Sequence, residues 1–190
     1  MATTSTTTEP RTITNGGGER LTLLGMHEDE RGPYLHVRNV VEPGDGPPMH
    51  VHHRQDEGLT VERGTIGYQR KGEEPRTAGP GETVVFRAGE AHRFWNAGDD
   101  VLECDGWIGP PDNLEYFLTA MFASMEATGG KRPRTYDAAF LLTRYRTEFG
   151  MTDIPQPVQR LLFPVVLAAG RLLGWHRRFE GAPAPMSPRR

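Results

Sequence analysis

The chain has 190 residues, 36% hydrophobic and 25% charged, with a net charge of −3. This favours one globular domain with appendages over a disordered chain, and the charge is too mild to point to a nucleic-acid partner. The lone cysteine, Cys104, excludes an intramolecular disulfide and a multi-cysteine zinc site, and it fits a reducing compartment.

The opening "MATTSTTTEPRTITNGGG" has no apolar core of the kind a secretory signal carries, so residues 1–18 read as a disordered polar lead-in and the default location is cytoplasmic. From about residue 20 to 109 short apolar-alternating runs are punctuated by glycine and proline. "RLTLLGM", "PYLHVRNVVE", "MHVHH", "EGLTVER", "TIGYQR", "ETVVFRA", "AHRFWNA" and "VLECDGWIG" predict about eight strands, spaced as in an all-β sandwich or barrel over 19–110.

After "GPPDN" the apolar period lengthens to that of helices. Leu114, Phe117, Leu118, Met121 and Met125 mark one helix, with Asp112 or Asn113 as its N-cap and Gly129–Gly130 as its stop. "TYDAAFLLTRYRTEFG" reads as a second helix ending at Gly150, and "PQPVQRLLFPVVLAAGRLLGWHRRF" as a third, kinked at Pro164. The expected organisation is therefore a β body, a helical extension over 111–179 and a flexible tail over 180–190. From Ile154 onward six arginines face one acid, Glu180, so this end carries +5 and the rest of the chain −8. The ten-residue apolar run "LLFPVVLAAG" is well short of the ~20 a membrane span needs. Packing of this helix on the barrel or on a second subunit is favoured over peripheral contact with an anionic membrane, because two preceding helices offer it a place to dock.

The segment "PGDGPPMHVHHRQDEGLTVERG", 43–64, concentrates histidines. On a strand His50 and His52 share a face and His53 takes the other. Glu57 follows a polar turn and shares its parity with Leu59 and Val61, which suit a barrel interior. A buried carboxylate beside two imidazoles is costly unless a cation relieves it. The segment is either half of a metal site or a surface hairpin that happens to carry histidines. The other half of such a site is "GETVVFRAGEAHRFWN", where His92 shares a face with Phe94 and Asn96. Three imidazoles and one carboxylate suit Fe, Mn, Ni, Cu or Zn and suit Ca or Mg poorly.

With these residues in view, the chain resembles the cupin superfamily, in its small single-domain, quercetinase-like form. Gly44, five residues, His50, one, His52, four, Glu57, six and Gly64 reproduce the first cupin motif. Gly81, five, position 87, one, Gly89, two, His92, three and Asn96 reproduce the second, except that Arg87 stands where the family usually has proline. The resemblance covers roughly residues 20–109 and implies a double-stranded β-helix or jelly-roll barrel there; with the helical periods read above, the expected fold is mainly β followed by an all-α extension of about three helices. It implies one divalent transition metal per chain, held by His50, His52, Glu57 and His92, with further positions open to water, dioxygen or substrate. Leu59, Val61, Phe94 and Asn96 are the candidates for the substrate pocket, and Glu57 for a catalytic proton acceptor. Dioxygenase chemistry on a small organic molecule, aromatic or polyketide-like, is the first functional expectation. A redox-neutral isomerase or cyclase uses the same parts, and a non-enzymatic ligand-binding or sensor module is the rival class. Pairing through the sheets into a homodimer is expected by resemblance.

Overall fold

A computed structural model of the chain describes residues 9–130 and 132–188. Its strands are β1 (Arg11–Thr14), β2 (Glu19–Asp29), β3 (Gly32–Val41), β4 (His50–His52), β5 (Asp56–Arg63), β6 (Ile66–Arg70), β7 (Arg76–Ala78), β8 (Thr83–Phe86), β9 (Ala91–Asn96), β10 (Leu102–Gly109) and β11 (Phe149–Met151). The helices are α1 (Leu114–Glu126), α2 (Thr135–Arg144) and α3 (Gln156–Leu172), and a 3₁₀ turn follows at Trp175–Phe179.

Two antiparallel sheets, ordered β1-β2-β3-β10-β5-β8 and β11-β4-β9-β6-β7, make the barrel. Strand alternation decides which residues meet inside. In β10, Leu102, Cys104, Gly106 and Ile108 are buried while their neighbours are half-exposed. In β3, Leu35, Val37, Asn39 and Val41 turn inward in the same way. Val41, Leu59, Val61, Ile66, Phe86, Phe94, Leu102 and Cys104 fill the barrel core between the sheets. On the outer faces each barrel tryptophan lies over a glycine of the next strand. A β-carbon on Gly58 would stand 2.3 Å from the Trp107 indole nitrogen, so that position has room only for hydrogen.

The helices are built into the body. α1 and α2 bury Leu114, Phe117, Phe122, Tyr136, Leu141 and Leu142 against Leu21, Leu23, Leu35, Val37 and Ile108, so one core serves both helices and sheet. The expected eight strands are present, and three short ones join them. β1 places part of the lead-in within a sheet, pairing Arg11–Thr14 with Leu23–Arg20; residues 1–8 lie outside the described residues.

β11 corrects the second helix. α2 stops at Arg144, the Glu148 and Phe149 amides donate to the Tyr145 carbonyl, and Phe149–Met151 extends along β4. The stretch after the 3₁₀ segment is also tied down as far as Ser187, whose carbonyl accepts from Arg54. Arg144 donates to the Ala182 and Pro183 carbonyls, Thr147 to that of Met186, and the Met186 amide to the buried Glu148 carboxylate. Asn113 begins α1 without a side-chain cap, and its side-chain NH2 donates to Glu148 and to the Ala184 carbonyl.

The third helix also departs from expectation. It ends at Leu172, and Gly174 (φ +76°) turns the chain into the 3₁₀ segment. It docks through one side only, where Phe163 and Gly170 are buried and a β-carbon on Gly170 would stand 2.1 Å from the Tyr136 ring. Val158, Leu161, Leu162, Val165, Leu172 and Leu173 remain exposed.

Candidate metal centre

Strand register assembles the centre. His50 and His52 lie on β4, and His50 stands directly opposite His92 of β9. Glu57, early in β5, lies opposite Phe86 of β8. One donor atom from each of His50, His52, Glu57 and His92 falls within 4.8 Å of the others. His53 points the other way and is exposed, as strand parity requires.

The turn before β9 is held without a proline at position 87. The Arg87 guanidinium pairs with Asp56 at 2.7 Å, and the Arg87 amide donates to Glu90 Oε2 at 2.8 Å. Asp56 also accepts from the Ala88 amide, and the Gly89 amide donates to the His52 carbonyl at 2.7 Å. Gly89 takes φ +87°, a left-handed conformation that glycine adopts without strain.

Backbone carbonyls fix two of the three imidazoles. His50 Nδ1 donates to the Pro48 carbonyl at 2.9 Å and His92 Nδ1 to the Glu90 carbonyl at 2.8 Å. A carbonyl only accepts, so each of these rings carries its proton on Nδ1 and turns Nε2 inward. This carbonyl-to-imidazole tether is the arrangement that orients metal-binding histidines.

The inward atoms crowd one another. Glu57 Oε2 lies 3.0 Å from His92 Nε2 and 3.6 Å from His52 Nε2, and both side chains are buried. A carboxylate and an imidazole lone pair at that distance repel unless a positive charge, a proton or a metal ion, sits between them. Burial pushes the His50 imidazole down to about 4 and that of His52 to about 3, so both are neutral at physiological pH. Burial works to raise the Glu57 carboxyl, but its close contact with His92 and the other two imidazoles, wherever a proton is shared among them, outweighs this and lowers it to about 2. Uncharged imidazoles beside an ionised carboxylate are the protonation states that a cation needs. The donor set fits a divalent transition metal.

Leu59, Val61, Phe94 and Asn96 share the interior but do not form an open wall around the four ligands. The three apolar residues pack in the barrel core, each no more than 3% exposed. The Asn96 amide donates to the Val41 and Asp100 carbonyls and accepts from the Gly98 amide, so it ties the far loops together.

The residues that do border the ligands come from elsewhere. Phe86 stacks on His92, and the Arg70 guanidinium lies 5.3 Å from the Phe86 ring on its way to Glu90 and the Val85 carbonyl. Phe149, opposite His52 in the β11–β4 ladder, sets its ring centroid 5.6 Å from that imidazole, and Met151 lies opposite His50. Nothing in the sequence near the motifs marks Phe149 or Met151. Only the strand pairing brings them there.

Residues 37–108 match the family model described as the cupin domain. Among curated proteins, "Probable oxidoreductase virH" of Hypocrea virens is 37% identical over 51 residues, which is 27% of this chain and 23% of that protein. "Oxidoreductase iacF" of Pestalotiopsis fici is 30% identical over 79 residues, 40% of this chain and 39% of that protein. The chain thus spans well under half the length of either relative. Among solved structures, an uncharacterized protein with a double-stranded β-helix domain from Klebsiella pneumoniae has 19% identity and a TM-score of 0.42. That similarity covers 54% of this chain and 73% of the other. KdgF from Halomonas sp. has 20% identity and a TM-score of 0.43, over 53% and 87% of the two chains. With both motifs at their spacing, two antiparallel sheets around one core and a family model that matches residues 37–108, the chain carries a cupin domain.

Proposed function

We propose that His50, His52, Glu57 and His92 hold one divalent transition metal ion, and that the centre transforms a small organic molecule by dioxygenase-type chemistry. The observation that carries this reading is the convergence of the Nε2 atoms on Glu57 Oε2, with His50 and His92 fixed from behind by backbone carbonyls. When bound, such an ion supplies Lewis acidity toward a substrate oxygen and, for Fe, Mn, Ni or Cu, a partner for electron transfer with dioxygen.

The chain's own contributions follow from the geometry. Glu57 is the ionised group beside the imidazoles and, once its contacts with them loosen and its basicity rises, accepts the proton of an enolic or phenolic hydroxyl at Oε2. The imidazoles, held by backbone carbonyls and by the stacked Phe86, keep their direction while that proton moves. Phe149, packed against His52, and the half-buried Met151, opposite His50, make that side of the centre apolar, which suits an aromatic or polyketide-like substrate. A redox-neutral isomerase or cyclase needs the same four residues. The oxidoreductase names of the two curated relatives favour the redox reading. A homodimer paired through the sheets completes the proposal.

Elemental analysis of tag-free protein, wild type and His50→Ala/His92→Ala, tests the site. Near-stoichiometric Fe, Mn, Ni, Cu or Zn, lost in the variant, is the expected result. A folded wild type that stays empty after reconstitution overturns the metal assignment. Dioxygen uptake with enols and phenols then separates the two chemistries, because an isomerase or cyclase consumes substrate without uptake. Light scattering on the same samples reads the oligomeric state.

A further inference from the structure

The exposed side of α3 is apolar along its whole length. Val158, Leu161, Leu162, Val165 and Leu172 recur at helical spacing, and Leu173 and Trp175 continue the surface past the end of the helix. Leu172 is 90% exposed and Leu161 74%. Isolated exposed leucines are ordinary, but a continuous stripe of this extent marks a surface that meets something apolar.

Charge identifies what that is. Between Ile154 and Phe179 there are four arginines and no acidic residue. Arg178 is committed to Asp137, while Arg160, Arg171 and Arg177 are exposed and make no ion pair with a described residue. Arg160 and Arg171 are about three helical turns apart, so they share one flank beside the stripe. An apolar stripe, a flanking row of arginines and a tryptophan at one end suit the boundary between acyl chains and anionic headgroups, where arginine stems lie along the apolar layer and their guanidinium groups reach phosphate.

The rest of the chain, at −8, is repelled by the same headgroups, which leaves the α3 side as the approach. No helix among the described residues is long and apolar enough to cross a membrane, so the contact lies in the plane of the surface. We infer that α3 and the 3₁₀ segment after it dock this protein on an anionic lipid surface.

The test is co-sedimentation of the full chain with phosphatidylcholine vesicles and with vesicles that also contain phosphatidylglycerol. Binding to the anionic vesicles, weakened by salt and absent or weak on the neutral ones, is the expected result. Arg160→Glu/Arg171→Glu is expected to weaken binding on the order of tenfold or more. Leu161→Glu/Leu172→Glu is expected to abolish it. All four positions are exposed, so circular dichroism should report unchanged folding for both variants. Equal binding to both vesicle types, or none, overturns the inference. So does a lipid-free dimer that Leu161→Glu/Leu172→Glu converts to monomer, because the stripe would then be covered by a second copy.

Discussion

Phe86 lies flat against His92, their ring centroids 3.9 Å apart and their planes 4° from parallel. The Arg70 guanidinium lies 5.3 Å from the Phe86 ring centroid, and Phe86 is fully buried. The stack fixes the tilt of the His92 ring, while the Glu90 carbonyl fixes its rotation. Phe86→Ala is expected to cost about 3–5 kcal/mol of stability, as large-to-small changes of buried aromatics do. Phe86→Leu should recover much of that loss and still bind metal more weakly than wild type, because a leucine fills the space without holding the imidazole plane. Chemical denaturation alongside metal titration separates the two effects. Wild-type metal affinity in a stable Phe86→Leu protein would show that the ring is filler.

Glu19 gives a pH signature away from the metal centre. Burial raises its carboxyl to about 7; the Asn39 hydrogen bond opposes this, and the charges of Glu57 and Asp45 add to it. The folded state therefore holds the Glu19 proton more tightly than the unfolded chain, whose ordinary value is 4.5. This stabilising contribution is complete below about 4.5 and is lost as pH rises through about 7, a fall of about 3 kcal/mol. Glu19→Gln keeps a hydrogen-bonding partner for Asn15 and Asn39 without the titration. Its denaturation midpoint should vary less between pH 4.5 and 8 than that of wild type and exceed it at pH 8. Parallel profiles for the two proteins would contradict this.

Barrel and extension should unfold together. The core of α1 and α2 includes β2 and β3 residues, β11 pairs with β4, and the buried Glu148 carboxylate gathers Asn113 and Met186. Calorimetry of the metal-free protein is expected to show one transition whose calorimetric and van't Hoff enthalpies agree. Two resolved transitions would mean that the helices form a separate domain.

Replacing Arg87 by the proline usual in the family should destabilise this chain. Arg87→Pro removes the amide that donates to Glu90 and the guanidinium that pairs with Asp56, a loss of about 1–2 kcal/mol. A thermal melt reads the sign directly, and a higher melting temperature for the variant would refute the account.

The grouping of His50, His52, Glu57 and His92 is legible in the sequence because their identities and spacings are themselves the signal, and strand alternation gives the parity of His50 and His52. The barrel was legible for the same reason. What surrounds the ligands was not. Phe149 sits in "RYRTEFG", which continues a helical pattern, and only its pairing with β4 makes it a strand; the tertiary partner overrides the local preference. Leu59, Val61 and Phe94 have the parity of the ligands, yet parity cannot distinguish the core from the rim of a barrel. For α3, apolar periodicity implies a packing face and leaves open whether anything covers it, so the exposure of the stripe is not legible in the sequence.

The pairing of β4 with β11 has a consequence for the order in which the molecule is made. His50–His52 leaves the ribosome about a hundred residues before Phe149–Met151, roughly 5–20 s earlier at ordinary elongation rates. Throughout that interval one side of β4 is an open strand edge beside half-made ligands, free to pair with another nascent chain. Phe149–Met151 ends that exposure: a strand made after the whole barrel and two helices closes the edge beside His50 and His52.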